Sequence, residues 1–276
     1  MHHEVITGDC LDILKAMPDK SVDLVFTSPP YGSARTYGIG FKGKGEEFVD
    51  WCLQRYVECH RVSRGLTAWV LEGQTKGFQW TATPALLMAD LHRRGIKLRK
   101  PPAFHRVGIP GSGGPDFLRN DWEMIVCSSH GKLLWSNNVA CGHPPKWAPG
   151  GAMSNRKANG DRVAPDSSYA PPKLANPGNF LHFDVGGGRM GHDMAHENEA
   201  AFPLGLAEFF VKSFCPPGGT VLDCFGGSGT TSHAAEINGR NSISIDIRED
   251  QSELTRRRLA TLTTSRGRGA DTWLRK

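Results

Sequence analysis

Four residues, Ser28-Pro29-Pro30-Tyr31, follow directly on the apolar run VDLVFT at residues 22–27. Two prolines fix the backbone, so the Ser28 hydroxyl and the Pro29 carbonyl are held as hydrogen-bond acceptors with little left to reorganise. Tyr31 adds a flat face on which a base can stack. Acceptors beside a stacking face suit an exocyclic amine on a nucleobase. Its lone pair is delocalised into the ring, and acceptors pulling on its hydrogens return density to nitrogen for attack on an electrophile.

A second constellation lies near the other end of the chain. The short apolar strand at residues 220–223 ends in Asp223 and runs into Phe225-Gly226-Gly227-Ser228-Gly229, then a helix from Thr230. Glycines let the backbone approach a ligand closely, and a helix N-terminus offers free N–H groups to an anionic group. The alternating strand SISIDI then places Asp246 23 positions after Asp223, followed by Ile247. An acid at the end of a second strand accepts both hydroxyls of a ribose, so the pair of strands suits a nucleoside-type cofactor. No Gly-Lys-Ser/Thr follows the turn, which excludes a Walker P-loop, and the glycine order also departs from the usual dinucleotide fingerprint.

These residues need a scaffold. Strand-like runs at 5–8, 22–27, 66–71, 122–128, 220–223 and 242–247 alternate with helical stretches, which predicts a doubly wound parallel sheet. Residues 45–63 carry Phe48, Cys52, Tyr56 and Cys59 on one helical stripe. A helix over 204–214 stops at Cys215-Pro216-Pro217-Gly218-Gly219. From 136 to 194 Pro, Gly, Asn and Ser dominate, which predicts an inserted recognition region rather than sheet. Its Trp147, Tyr169, Phe180 and Phe183 give it something to pack or stack with.

The 276 residues carry a formal charge of +5, unevenly spread. Residues 92–106 hold six Lys or Arg and no acid, and Arg256 to Arg258 form a second basic cluster. Both suit a polyanion through phosphate contacts, or a solvated helix face. Seven scattered cysteines, no signal peptide and no apolar run of membrane-spanning length predict a reducing cytoplasm and exclude a membrane partner. Cys127, His130, Cys141 and His143 do not have a standard zinc spacing, so no metal site is assigned.

Taken together the motifs resemble those of the S-adenosylmethionine-dependent DNA amino-methyltransferases in their permuted β group. That group carries (S/D/N)PPY first, a target-recognition region next and FxGxG last. Here SPPY occupies 28–31 and the glycine turn 225–229. The opening ITGDCLDILKAMPDKSVDLVFTSPPY is similar to the family's start, which implies that Asp9, with Cys10 beside it, reaches the cofactor's adenine. HENEAAFP implies that Phe202 approaches the methionine end. Cys224 stands where the family usually has proline, and HENEAAFP is looser than the usual His-Pro-Ala-x-Phe-Pro.

The resemblance implies a Rossmann-like doubly wound, mainly parallel α/β sheet, the class I methyltransferase fold in permuted form, with an inserted irregular target-recognition region. It divides the chain into 1–135 with the catalytic motif, 136–196 for recognition, 197–262 for the cofactor and a basic tail over 263–276. Cofactor contacts would come from Asp9, Cys10, Phe202, Asp223, Phe225, Gly226, Gly227, Ser228, Gly229, Thr230, Asp246 and Ile247. S-adenosylmethionine would leave as S-adenosylhomocysteine. Double-stranded DNA is the expected partner, met by Arg35, Lys42, Lys44, Lys146, Arg156 and Lys157, with residues 108–121 as a mobile flap. Ser28 at the motif's first position favours the N4 amine of a flipped-out cytosine, because Asp there goes mainly with adenine N6. The N6-adenine alternative, an RNA or protein methyltransferase and a silent DNA-binding module stay open, as do a homodimer and a cognate restriction endonuclease. Methylation at cytosine C5 would need a Pro-Cys nucleophile, and no cysteine here follows a proline.

Overall fold

The computed structural model describes residues 1–31, 43, 45–107, 114–116, 118–145, 155–163, 173–186, 190–198 and 200–266. Their order is β1 His3–Thr7, α1 Cys10–Ala16, β2 Val22–Thr27, α2 Glu46–Val62, β3 Ser63–Leu71, β4 Thr75–Lys76, β5 Gln79–Trp80, α3 Thr83–Arg93 and β6 Leu98–Arg99. β7 Ala103–Val107, β8 Trp122–Ser128, β9 Asn155–Arg156, β10 Arg162–Val163 and β11 Phe180–Asp184 follow. The chain closes with α4 Leu204–Phe214, β12 Thr220–Asp223, α5 Thr230–Ile237, β13 Asn241–Asp246 and α6 Glu249–Arg266.

The main sheet runs β1-β13-β12-β2-β3-β8-β7-β11, with β6 also pairing β8. β8 lies antiparallel to its neighbours β3, β7 and β6, while the other pairings in this sheet are parallel. Helices cover both faces, so the central strands are apolar on both sides. Along β3, Leu66, Ala68 and Val70 face one core with Phe210 and Val211 of α4, while Trp69 and Leu71 face the other with Cys52 and Tyr56 of α2. This two-residue period explains why the runs at 22–27 and 66–71 are visible in the sequence. The stripe Phe48, Cys52, Tyr56 and Cys59 is buried as expected.

One expectation needs correcting. Residues 180–184, within the stretch expected to be irregular, form β11, which pairs in parallel with β7 at the sheet edge. Edge position explains the miss, since Phe180 and His182 face solvent and leave no apolar run. The basic cluster at 256–258 divides: Arg256 and Arg257 are exposed and ion-paired, as on a solvated helix face, and Arg258 turns inward. Arg256 pairs with Glu249 at 3.0 Å and Arg257 with Glu197 at 3.0 Å, while Arg258 is fully buried. Among the described residues no helix is long and apolar enough to cross a membrane.

The chain leaves β12 toward β13 on one side and β2 toward β3 on the other, so strand order reverses between β12 and β2. Ligands of doubly wound sheets bind beyond the carboxyl ends of the strands at such a reversal. The glycine turn and Ser28 start there.

Candidate active site

A cleft of about 630 Å³ opens at this reversal. Among the expected site residues it is lined by Asp9, Cys10, Ser28, Pro29, Pro30, Tyr31, Phe202, Phe225, Gly226, Gly227, Ser228, Thr230, Asp246 and Ile247. Motifs from opposite ends of the chain thus meet on one wall. Asp223 and Gly229 lie behind it. Arg35, Lys42, Lys44 and Lys146 fall outside the described residues, as does half of the expected flap (108–113 and 117). Arg156 belongs to the small β9–β10 ribbon, and Lys157 is exposed beside it.

Asp223 acts as a fastener rather than a surface group. Its carboxylate accepts from Thr27 Oγ1 at 2.5 Å, Thr231 Oγ1 at 2.6 Å and the Phe225 N–H at 3.1 Å. It therefore ties β2 to the glycine turn at the point of reversal. Burial pushes its pKa up to about 6 against these favourable bonds. Asp246 accepts from the N–H groups of Gly227 and Arg248 at 2.8 and 2.9 Å, and burial raises its pKa. Behind the turn, Thr255 Oγ1 donates to the Gly227 carbonyl and buried Arg258 donates to the Ser228 carbonyl, Thr230 Oγ1 and His233 Nδ1. Desolvation lowers His233 to about 3, so it stays a neutral acceptor, and lowers Arg258 to about 10.

The turn fits a nucleoside-type cofactor. A Cβ at Gly226 would overlap the Ser244 hydroxyl, so the backbone lies flush against β13. The Ser228 hydroxyl on the cleft wall is a buried polar atom without a hydrogen-bond partner among the described residues, where a ligand polar group would satisfy it.

Asp9 caps α1 through the Leu11 N–H at 2.8 Å and is bridged by Arg55 at 3.0 Å. Arg55 lies 4.0 Å over Trp51, which stacks on Phe225. A hydrogen bond with Cys224, together with burial, pushes the Cys10 thiol well up, which keeps it protonated and inert. Phe202 packs edge-on against Phe26, whose ring stacks on Phe210 of α4.

At the other end of the wall a relay extends from the SPPY turn. Ser28 Oγ donates to Tyr31 Oη over a long 3.4 Å, and Tyr31 Oη donates to Glu123 Oε2 at 2.7 Å. Arg106 pairs with Glu123 at 3.1 Å. Trp51, Arg55 and Glu123 escaped the sequence reading, and Arg106 entered it only as the last member of the basic run 92–106. The available signal was a charge amid apolar neighbours: Glu123 near the start of an otherwise apolar strand, Arg55 on the buried side of α2.

The family model for DNA methylases that act on N6 or N4 amines matches residues 22–257. DNA adenine methyltransferase YhdJ of Escherichia coli K12 is 27% identical over 263 residues, covering 92% of this chain and 82% of its own. Type II methyltransferase M.ScaI of Streptomyces caespitosus is 28% identical over 274 residues, covering 91% and 79%. Among solved structures, the cytosine-N4-specific PvuII DNA methyltransferase superposes with a TM-score of 0.66 at 19% identity, over 93% of this chain and 86% of that one. A DNA modification methylase of Thermus thermophilus, solved with S-adenosyl-L-methionine, gives 0.60 at 22% identity, over 94% and 93%. With the glycine turn and the SPPY motif meeting on one cleft, the match establishes the chain as a member of the N6/N4 DNA methylase family, an S-adenosylmethionine-dependent DNA methyltransferase.

Proposed function

We propose that this enzyme methylates the N4 amine of a cytosine turned out of duplex DNA into the cleft. The observation that carries the reading is the relay behind Ser28. With its proton directed to Tyr31, and the Tyr31 proton directed to Glu123, the Ser28 oxygen turns its lone pairs toward an incoming amine. Bound S-adenosylmethionine supplies an electrophilic sulfonium methyl. The chain stacks the base on Tyr31, accepts the amine hydrogens at Ser28 Oγ and the Pro29 carbonyl, and excludes water from the pair. A hydroxyl is a weaker acceptor than a carboxylate, which suits the amine of cytosine in the family's usage. The surplus proton leaves to solvent after transfer.

On this reading Asp246 takes the ribose hydroxyls, Phe225 and the glycine turn flank the nucleoside, Ser228 and Thr230 offer hydroxyls, and Phe202 meets the methionine end. Asp9 contributes through Arg55 and the start of α1. Residues 136–196 carry target recognition, and the exposed Arg94, Lys97, Arg99 and Lys100 join Lys157 as phosphate contacts. The name of the type II methyltransferase M.ScaI supports a cognate restriction endonuclease, and a DNA substrate suits a DNA-associated cytoplasmic location. Light scattering would report dimerisation.

The test is mass spectrometry of nucleosides from DNA incubated with the purified protein and S-adenosylmethionine. N4-methylcytosine is expected. N6-methyladenine, the product that YhdJ's name assigns to that relative, would overturn the base assignment and keep the fold and amine chemistry.

A further inference from the structure

Residues 72–74 end the β3 wall of the cleft, and the chain passes from them straight into the β4–β5 hairpin. Thr75 lies opposite Trp80 and Lys76 opposite Gln79, leaving Gly77 and Phe78 as a two-residue turn. Both have positive φ, +58° and +63°, as a turn of the I′ kind requires. Glycine or asparagine meets that requirement without strain, whereas a bulky side chain there is held against its backbone preference. The strain is not offset by burial: Phe78 is 71% exposed and Trp80 42%.

The stem, by contrast, is fixed. Thr81 N–H donates to the Gln74 carbonyl and Gln74 N–H to Thr81 Oγ1, each at 2.9 Å. The Trp80 indole N–H donates to Glu72 Oε1 at 2.9 Å, and any side chain at Gly73 would overlap that indole. A strained, solvated aromatic ring thus stands on a stem rooted in the cleft wall.

We propose that Phe78 is a wedge that enters the base stack of duplex DNA at the place vacated by the base turned into the cleft. The inference rests on the reading of the cleft as a pocket for an extruded base. Extrusion gives up stacking, and an apolar ring inserted between base steps replaces part of what is lost. The same insertion buries the ring that the free protein leaves in water. Because the stem is bonded to the cleft wall, wedge and pocket keep a fixed separation, and the ring inserts beside the base being drawn out.

The test compares the parent and Phe78→Gly, which removes the ring while suiting the backbone of the turn. Each is assayed on a duplex carrying a site that the parent methylates, and on the same duplex with the target base mispaired and so already loosened. The wedge predicts that kcat/KM of the variant falls at least tenfold on the paired duplex and less than threefold on the mispaired one, with a melting temperature equal to or above the parent's. Equal losses on both duplexes, or a loss under threefold on the paired duplex, would overturn it. Failure of the DNA reading itself shows separately and earlier, as a parent for which no duplex with a methylated site is found.

Discussion

At the end of the cleft proposed to hold the cofactor, shape is enforced by bonds within the protein. Asp223 fastens the turn to Thr27 and Thr231, Asp246 holds the Gly227 N–H, Thr255 and Arg258 hold the Gly227 and Ser228 carbonyls, and Gly226 lies flush on β13. At the end proposed to receive the base, the fixed part is a Pro-Pro backbone, and the side chains form a chain of hydroxyls whose first link is 3.4 Å long. The proposed tasks of the two ends account for the difference. A cofactor that is the same at every turnover is served by a rigid backbone cradle, whereas an amine entering from duplex DNA needs acceptors that complete their alignment on arrival. Perturbing the cradle should therefore abolish binding, and perturbing the relay should slow the chemical step.

The largest effect is expected from Gly226→Ala. Its Cβ would overlap the Ser244 hydroxyl and crowd the Ser244 Cβ, so the Ser244 side chain must turn away or the glycine turn must lift from β13. Cofactor affinity should fall by about 10³-fold or more, equivalent to about 4 kcal/mol, read by titration calorimetry. Affinity within tenfold of the parent would show that the cradle tolerates movement and erase the contrast. Ser28→Ala tests the other end. Removing one preorganised partner of the reacting group typically lowers kcat by about 10²–10³-fold, and here cofactor affinity should stay within about twofold of the parent. A parallel fall in both would mean that the ends are not separable.

The charge buried beneath the cradle gives the contrast a pH signature. Folding raises the pKa of Asp223 to about 6, so the folded state holds this proton more tightly than the unfolded chain. Its contribution to stability is therefore full below about pH 4 and is lost as pH rises through about 6. Asp223→Asn removes the titration. The stability of the parent relative to this variant should drop by about 3 kcal/mol between those limits, a shift of about two units at 1.36 kcal/mol each. Chemical denaturation of both proteins at pH 4 and pH 7 measures it, and a difference independent of pH would show that the carboxylate is solvated through the cleft.

What the sequence made legible follows the same division. The cradle and the SPPY turn were readable because each is a continuous stretch of backbone-determining residues, Gly or Pro, at the end of an apolar strand. Helix α6 was not, because much of its inward face is polar: Gln251, Ser252, Thr255 and Arg258 are buried there beside Leu254 and Leu259, with Thr255 and Arg258 bonding the turn instead of packing against it. Hydrophobic periodicity has little to report on such a helix. Edge strand β11 was hidden for a related reason, since Phe180 and His182 alternate outward. The relay was illegible because its partners, Tyr31 and Glu123, are 92 positions apart and only the sheet order brings β8 beside the SPPY turn.

The smallest effect, and the one that decides whether the base end works as a relay, belongs to Tyr31→Phe. The ring is retained, so stacking of the base survives, but Ser28 loses the oxygen toward which its proton points and Glu123 loses a hydroxyl donor. The Ser28 hydroxyl is then free to rotate and spends part of its time with a proton, not a lone pair, toward the amine. A loss of about tenfold in kcat is expected, the equivalent of about 1.4 kcal/mol, with KM for DNA nearly unchanged because ground-state stacking is intact. The Ser28→Ala background separates this account from a general disturbance of the pocket. If Tyr31 acts through Ser28, adding Tyr31→Phe to Ser28→Ala should change kcat by less than about twofold, since residues acting as one unit are strongly non-additive. Full additivity would mean that the Tyr31 hydroxyl serves the base directly, and the loosely jointed end of the cleft would be two independent contacts in place of one chain.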